Sequence, residues 1–373
     1  MPPAHVYVHV PFCARRCVYC DFSIAVRRIV PVDEYIAGVA SELDLRFPAG
    51  QHGETSTLYF GGGTPSRLGG EGMARLLETA CRHLSLSADA EVTIEANPED
   101  VSDSSVRAWR DAGINRLSLG GQSFDDDILA WMHRTHDAAA IARAVDVARA
   151  HGIDNISLDL IFAVPQRAPG SWERDVARAL DLQPSHISLY GLTVEPHTVL
   201  GRRRTRGELA ESAEETYEHE FLHAHDALGA AGFEHYEVSN FARPGKRSRH
   251  NSAYWSGCHY AGLGPSAHEF DGQTRRWNLA PYGDWLTALR DRSDPVAGKE
   301  VLSDENRIAE GVYLGLRTMD GLSVSDEELA RISIWAEAGW ATIDDEPRVR
   351  LTASGWLRLD ALAADLTLFR SRY

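Results

Sequence analysis

Residues 5–22 read HVYVHVPFCARRCVYCDF, and this stretch decides the fold because a strand pattern passes directly into a cluster of cysteines. The first six residues alternate valine with histidine and tyrosine, which is typical of a β-strand. Cys13, Cys17 and Cys20 follow with the spacing C-x3-C-x2-C. A disulfide framework would spread its cysteines along a secreted chain, so this crowding favours a metal site in a reducing compartment.

The cysteine spacing predicts a [4Fe–4S] cluster with one open iron. Such a cluster ordinarily takes four thiolates, so three nearby cysteines leave one iron free to bind another ligand. The amine and carboxylate of S-adenosylmethionine can chelate that iron, and reductive cleavage then yields a 5′-deoxyadenosyl radical. The alternative from spacing alone is a zinc site with three cysteines, completed by a histidine such as His5 or His9.

Strand-like and helical patterns alternate along the first half of the chain. This alternation predicts a parallel sheet with right-handed crossovers, whose functional site lies at the carboxyl ends of the strands. Six units in about 190 residues fall short of the eight in a closed barrel, so we expect an α/β fold built as a partial (β/α)6 barrel. The predicted strands are residues 5–10, 56–60, 91–96, 115–120, 155–162 and 186–190, and the predicted helices are residues 32–47, 71–84, 104–113, 138–152 and 172–182.

The rest of the chain predicts an extension of the barrel and a small carboxyl-terminal α+β module that resembles a winged helix. The extension contains a stretch rich in glycine, histidine and aromatic residues that ends near residue 270. The predicted elements are a long helix over 205–232, helices over 304–318 and 325–339, and a strand over 348–352. The predicted divisions are a core over 1–200, the extension over 201–302 and the module over 303–373.

Composition and charge limit the function. A chain of 373 residues with 43% hydrophobic content can bury a large core, which excludes a disordered or fibrous protein. A net charge of −16 disfavours binding to a phosphate backbone, so no nucleic-acid partner is expected. The sequence has no apolar run of transmembrane length and no signal-peptide pattern at Met1–Pro3, so we expect a cytoplasmic protein. The oligomeric state, including a homodimer, stays open.

The stretch YVHVPFCARRCVYCDF, residues 7–22, resembles the radical SAM superfamily, whose signature is C-x3-C-x2-C with an aromatic residue before the last cysteine. More narrowly, it resembles the coproporphyrinogen-oxidase-like branch, which contains oxygen-independent coproporphyrinogen III oxidases and heme chaperones. The resemblance covers nearly the whole chain. It implies a [4Fe–4S] cluster on Cys13, Cys17 and Cys20 and the binding of S-adenosylmethionine.

The residues that would hold S-adenosylmethionine follow the second and later strands. A run of three glycines, residues 61–63, lets the backbone approach a ligand, although such a run is also typical of a tight turn. The resemblance assigns Tyr7, Gly62 and Glu95 to the S-adenosylmethionine on the cluster. For the second S-adenosylmethionine described in this branch, the matching residues are Tyr19, Gly63, Thr64, Gln122, Arg134 and Asp159. Whether one or two bind stays open.

Asp159 is informative without the family, because an acid inside an apolar strand is costly unless it has a partner. We expect Arg134 to be that partner, and a simple buried ion pair would explain both residues. Cys81, which lies in a helical pattern among apolar residues, is expected in the core.

Residues 250–255 read HNSAYW and resemble the HNxxYW heme motif of the heme chaperones in this branch. Histidine is a common axial ligand of heme iron, and tyrosine and tryptophan offer a flat apolar surface to a porphyrin. Taken alone, one histidine beside two aromatic residues is more often packing. His250 is therefore the predicted heme ligand, His268 the second candidate, and Cys258 an accessory contact.

Two departures from the oxidases point to a chaperone. The oxidases carry a fourth cysteine two residues after the third, where this chain has Phe22, and they extend further before the first strand. We therefore expect a heme-binding chaperone that passes heme to apo-hemoproteins, without coproporphyrinogen oxidase activity and with no catalytic residue assigned. The alternatives are a radical SAM oxidase or transferase that acts on a porphyrin or another substrate, and a structural zinc protein.

Overall fold

The structure is a computed structural model that describes residues 4–48, 53–165 and 167–371. Met1–Pro3, on which the expectation about the amino terminus rests, lie outside the described residues. The strands are β1 His5–Val10, β2 Phe12–Cys13, β3 Ala25–Val26, β4 Glu54–Gly62, β5 Ser85–Ala96, β6 Arg116–Gln122, β7 Asn155–Phe162, β8 His186–Gly191, β9 Glu234–Glu237, β10 Asn240–Ala242, β11 Tyr260–Leu263, β12 His268–Phe270, β13 Thr274–Asn278, β14 Val296–Val301, β15 Leu322–Ser323, β16 Ala341–Ile343 and β17 Arg348–Leu351.

The helices cover the sheet or build the carboxyl-terminal module. They are α1 Val32–Arg46, α2 Gly69–Cys81, α3 Asp103–Ala112, α4 Asp126–Trp131, α5 Ala138–Ala150, α6 Ser171–Asp181, α7 Val199–Thr205, α8 Glu214–Ala230, α9 Arg249–Trp255, α10 Tyr282–Arg290, α11 Asp304–Arg317, α12 Asp326–Glu337, α13 Ala353–Trp356 and α14 Leu359–Arg370. Several begin at side-chain caps, as at Ser102 for α3 and Asp137 for α5, where an oxygen accepts an otherwise unpaired backbone N–H.

The central sheet has twelve strands in the order β14-β13-β12-β11-β1-β4-β5-β6-β7-β8-β10-β9. The six predicted strands lie side by side as β1-β4-β5-β6-β7-β8, and every neighbouring pair among them is parallel. Strand β1 buries Val6, Val8 and Val10 completely, as its alternating pattern predicts. The predicted α/β fold with a parallel-rich sheet is confirmed.

One parallel strand was absent from the prediction. Strand β11 pairs in parallel with the free side of β1, and β12, β13 and β14 continue the sheet antiparallel from it. These strands have only three to six residues each. Since so short a run carries little periodicity, the sequence shows an irregular stretch where the structure has a sheet extension.

The predicted helix over residues 205–232 is wrong in its first third. Helix α7 ends at Thr205, and α8 begins at Glu214. Gly207 between them has φ +71°, in the left-handed region that ends helices. The connection between these helices also buries Leu209 beside Val18, so it packs against the cysteine loop instead of continuing a helix.

The carboxyl-terminal part of the chain has the predicted α+β composition. Strands β15, β17 and β16 form a separate three-stranded antiparallel sheet, accompanied by α11 to α14. The Trp356 indole donates to the Leu316 carbonyl at 3.0 Å and so joins α13 to α11. The boundaries at residues 200 and 302 stay a prediction.

A fully buried carboxylate joins α1 to the sheet extension. Glu42 accepts hydrogen bonds from the Gly264 N–H at 2.8 Å, the Asn278 amide at 2.6 Å and the Trp285 indole at 2.9 Å. Arg46, one turn along α1, donates to the same carboxylate at 3.1 Å. These donors come from four separate segments, so a single side chain fixes the position of β11, β13 and α10 against α1.

We predict that Glu42→Ala lowers the free energy of unfolding by about 3–5 kcal/mol, because Arg46 and three further buried donors lose their acceptor. Denaturant unfolding followed by circular dichroism measures this. The matched control is Asp33→Ala, which removes an exposed carboxylate of the same helix from an ion pair with Arg75 and should cost at most about 1 kcal/mol. Equal losses in the two variants would contradict the assignment.

Candidate functional site

A cavity of about 380 Å³, here called the edge cavity, opens where the parallel strands end. Its walls are formed by the cysteine loop and the ends of β4 to β8. All the predicted site residues line it except Tyr7 and the candidate heme contacts His250, His268 and Cys258. The residues that line it are Cys13, Cys17, Tyr19, Cys20, Gly62, Gly63, Thr64, Glu95, Gln122, Arg134 and Asp159.

The cysteine loop is held in place at several points along its length. Cys13 ends β2, which pairs in parallel with β3. The Cys13 sulfur lies 3.4 Å from the Thr64 hydroxyl oxygen. Val18 is fully buried, and its backbone bonds to Met132 and Leu200. The loop therefore presents its thiols from a backbone anchored to the strand edge, to the end of α4 and to α7.

Three thiols on one wall match the donor set of an iron–sulfur cluster with an open iron. Burial raises the pKa of Cys13, and burial together with the neighbouring thiols raises the pKa of Cys20 to about 11. A nearby cation offsets that cost for the thiolate forms, since the Arg134 guanidinium lies 3.6 Å from the Cys17 sulfur. Within the described ranges, no three His, Cys, Asp or Glu side chains are placed to hold a single metal ion together.

Neither histidine considered as a fourth zinc ligand has a free nitrogen facing the thiols. His9 donates from Nε2 to the Ser23 carbonyl at 3.0 Å and accepts the Tyr7 hydroxyl at Nδ1 at 3.1 Å. Burial lowers the pKa of His9 to about 4, so the ring is neutral. His5 begins β1, at the end of the strand opposite the cysteine loop, and bonds to Thr57 at 2.9 Å.

Glu95 lies at the end of β5 with both carboxylate oxygens bonded. The Tyr59 hydroxyl donates to Oε1 at 2.8 Å, and the Gly62 N–H donates to Oε2 at 3.0 Å. Burial nevertheless raises the pKa of Glu95 to about 7. Gly61 leaves room for the Tyr59 and Tyr7 rings to pack beside Glu95. A Cβ at Gly61 would meet the Tyr59 ring at 2.8 Å and the Tyr7 ring at 3.0 Å.

The predicted ion pair between Asp159 and Arg134 is wrong: the described residues contain no such contact. Asp159 accepts from Ser118 at 3.3 Å and from Ser157 at 3.4 Å, and burial raises its pKa. Arg134 instead donates to the Asn97 side chain at 2.6 Å, and it also reaches the Gly120 carbonyl and Cys17. Ser118 on the neighbouring strand β6 and Ser157 on the same strand β7 lie on one face with Asp159, so serine hydroxyls bond to the carboxylate where an arginine was expected.

Unlike Gln122, three other residues at this cavity, Asn97, Gly120 and His133, carry no sequence signal that singled them out. Gln122 and His133 line it with φ of 67° and 61°, in a region costly for residues other than glycine and often found at functional sites. Gly120 provides the room, since a Cβ there would meet the Gln122 amide at 2.9 Å and the Arg134 guanidinium at 3.3 Å. Asn97, at the end of β5, completes the set by accepting from Arg134.

A larger cavity of about 720 Å³, here called the aromatic cavity, adjoins the edge cavity. The two share Phe22, Gly62 and Glu95 in their walls, and the Phe22 ring is 62% exposed. Tyr7 and the predicted alternative ligand His268 line the aromatic cavity. Its remaining walls include Tyr254, Trp255, Cys258, Tyr260, Phe270, Arg275, Trp277, Glu300 and Glu310.

His250 lies behind this wall rather than in either cavity. Its side chain is buried, with Nδ1 bonded to Thr57 at 2.7 Å and Nε2 bonded to the Tyr254 hydroxyl at 2.9 Å. Burial lowers the pKa of His250 to about 3. Both ring nitrogens are thus engaged in this structure, and the prediction of His250 as a heme ligand stays untested.

The two remaining cysteines are exposed. For Cys81 this contradicts the expectation of a core residue, because α2 ends at Cys81 and the thiol lies on its solvent-facing side. Cys258 lies in the wall of the aromatic cavity and accepts from the Ser256 hydroxyl at 3.2 Å.

Comparison with known proteins places this arrangement in a family. The sequence profile of the radical SAM superfamily matches residues 7–178. The heme chaperone HemW of Mycobacterium tuberculosis is 40% identical over 326 residues, which cover 87% of this chain and 84% of that protein. The chain belongs to the HemW family of radical SAM proteins. The HemW of Lactococcus lactis subsp. lactis is 36% identical over the same shares of both chains.

A solved structure shows the same fold as this member of the HemW family. Coproporphyrinogen III oxidase (HemN) from Escherichia coli superposes with a TM-score of 0.83 over 97% of this chain and 89% of that one, at 24% identity. The likeness supports the fold alone. Among the residues that the structure describes, no helix combines the length and apolar character needed to cross a bilayer.

The raised pKa of Glu95 predicts a pH-dependent cost to stability. Because the folded state binds the Glu95 proton more tightly than the unfolded chain does, the free energy of unfolding falls as pH rises from about 4.5 to about 7. Glu95→Gln should remove this loss and stabilise the protein at pH 8 by about 3 kcal/mol, with little change at pH 4.5. Anaerobic thermal unfolding at both pH values measures the difference.

The control for this prediction has the opposite sign. Glu99 is partly buried, but hydrogen bonds from His136 and Thr135 outweigh that burial and lower its pKa to about 2. Glu99→Gln should therefore destabilise the protein at pH 8. If Glu95→Gln and Glu99→Gln shifted the melting temperature in the same direction at pH 8, the proposed environment of Glu95 would be wrong.

Proposed function

We propose that this protein is a heme-binding chaperone that carries a [4Fe–4S] cluster and S-adenosylmethionine and passes heme to apo-hemoproteins. The observation that carries the proposal is the similarity to proteins named heme chaperone HemW across 87% of the chain. We place the transfer in the cytoplasm, where a reducing medium keeps the cysteine thiols free. Either a monomer or a homodimer of the protein could carry out this transfer of heme.

The cluster would be held by Cys13, Cys17 and Cys20, which line one wall of the edge cavity. When bound with S-adenosylmethionine, it supplies an electron for the reductive cleavage of the sulfonium. Arg134 supplies positive charge beside Cys17 in a low-dielectric site, which stabilises the thiolate forms.

S-adenosylmethionine would be held across the strand ends. Tyr7, Gly62 and Glu95 would hold its methionyl part. The Gly62 N–H donates to the Glu95 carboxylate, and that carboxylate offers an acceptor to an ammonium group. The positions matched to a second molecule are Tyr19, Gly63, Thr64, Gln122, Arg134 and Asp159. These residues share the same cavity, which supports a compact cofactor site.

Phe22 supports a chaperone rather than an oxidase. It occupies the position of the oxidases' fourth cysteine, and its ring lies between the edge cavity and the aromatic cavity. An apolar ring there provides contact surface where the oxidases have a thiol.

The cluster proposal predicts the metal content. Anaerobically reconstituted protein should hold about four irons and four sulfides per chain, and the triple variant Cys13→Ser, Cys17→Ser and Cys20→Ser should hold none. The matched control replaces the exposed Cys81 and Cys258 by serine and should keep the full content. Tightly bound zinc without sulfide would contradict the cluster.

The chaperone proposal predicts binding and transfer without oxidation. Purified protein should bind heme and donate it to the apo-form of a b-type hemoprotein, seen as the Soret spectrum of the recipient. With reductant and S-adenosylmethionine it should leave coproporphyrinogen III unchanged in a product analysis by liquid chromatography. Efficient formation of protoporphyrinogen would contradict the chaperone proposal and identify the protein as an oxidase.

A further inference from the structure

The aromatic cavity has the size and surface of a site for a large flat ligand. At about 720 Å³ it is nearly twice as large as the edge cavity and lies within the range of small-molecule sites. Aromatic side chains form much of its wall and offer flat apolar area. They are Tyr254, Trp255, Tyr260, Phe270 and Trp277.

His268 provides an available nitrogen ligand in this wall. Its side chain is exposed at the start of β12 and stacks on Trp277 with ring centroids 6.0 Å apart. Within the described part of the chain, no hydrogen bond occupies its ring nitrogens. A neutral imidazole with a free nitrogen is a common ligand for heme iron.

His250 has the opposite character. It is 1% exposed, stacks on Tyr59 with ring centroids 5.0 Å apart, and bonds to Thr57 and Tyr254 through its two nitrogens. Its backbone N–H also donates to Glu91 at 3.0 Å. Its interactions therefore hold α9 against β4 and β5 and fix the Tyr254 ring, which does line the aromatic cavity.

Charge in the aromatic cavity is uneven. Arg275 forms an ion pair with Glu310 and lies 5.5 Å from the centre of the Phe270 ring. Glu300 adds a second carboxylate to the same wall. Arg275 is the wall cation with which a ligand carboxylate could pair, in exchange for Glu310.

We propose that heme binds in the aromatic cavity with His268 as an axial ligand of its iron, and that His250 is a positioning residue that orients Tyr254. This inference rests on the proposed function, because the ligand is the heme that the chaperone carries. It divides the motif HNSAYW: Tyr254 and Trp255 contact the porphyrin, and His250 acts through Tyr254. Phe22, Gly62 and Glu95 then separate the heme from the cofactors of the edge cavity.

The test is an anaerobic heme titration of the cluster-loaded protein, read by the Soret band and by electron paramagnetic resonance. His268→Ala should change the ligand spectrum and weaken binding by about tenfold or more, and His268→Gly should regain the histidine-type spectrum when imidazole is added. The exposed His219, which lies outside both cavities on α8, is the matched control, and His219→Ala should change nothing.

The second arm concerns the positioning residue. His250→Ala should weaken binding but keep the axial-ligand spectrum, and Tyr254→Phe, which removes only the hydroxyl that His250 contacts, should keep it too. Loss of the histidine spectrum in His250→Ala with an intact spectrum in His268→Ala would overturn the inference. So would a spectrum that depends on Cys258. Absence of heme binding by the unmutated protein would instead overturn the proposed function itself.

Discussion

Parallel hydrogen bonding of β1 on both of its sides is the constraint on which the rest of the structure depends. Parallel strands gather their carboxyl ends at one edge, so the loop after β1 must lie beside the loops after β4 and β11. The cysteine loop, the glycine run and the segment leading to His268 therefore meet, although His268 follows Cys13 by 255 residues in the sequence. Two adjoining cavities with shared walls are the consequence.

The edge of the sheet concentrates buried charge that the fold must tolerate. Glu95 and Asp159 have raised pKa values because burial disfavours their charged forms, and only neutral donors bond to them directly. Such an arrangement costs stability in the unliganded protein and leaves carboxylates available to a cationic cofactor, a common compromise at functional sites. By contrast Glu42, which is equally buried, is saturated by donors and serves structure alone.

The short helix α9 shows how a motif can separate into layers in space. On a helix, residues four apart lie on one face, which brings His250 against Tyr254. His250 lies nearer the sheet and bonds through Nδ1 to Thr57 of β4, whereas Tyr254 and Trp255 line the aromatic cavity. A residue's presence in a motif therefore does not tell whether it contacts the ligand or supports a neighbour that does.

The sequence by itself determined the six core strands and their alternation with helices, because both follow from local periodicity. It also determined that the cysteines meet Gly62, Glu95, Gln122 and Asp159 at one edge, because parallel strands gather their carboxyl ends there. Only the tertiary structure decided that β11 joins β1, that serines rather than Arg134 bond to Asp159, and that His250 is buried while His268 is exposed. Strands of three or four residues carry too little periodicity to be recognised, and a side chain's partners depend on register between distant segments.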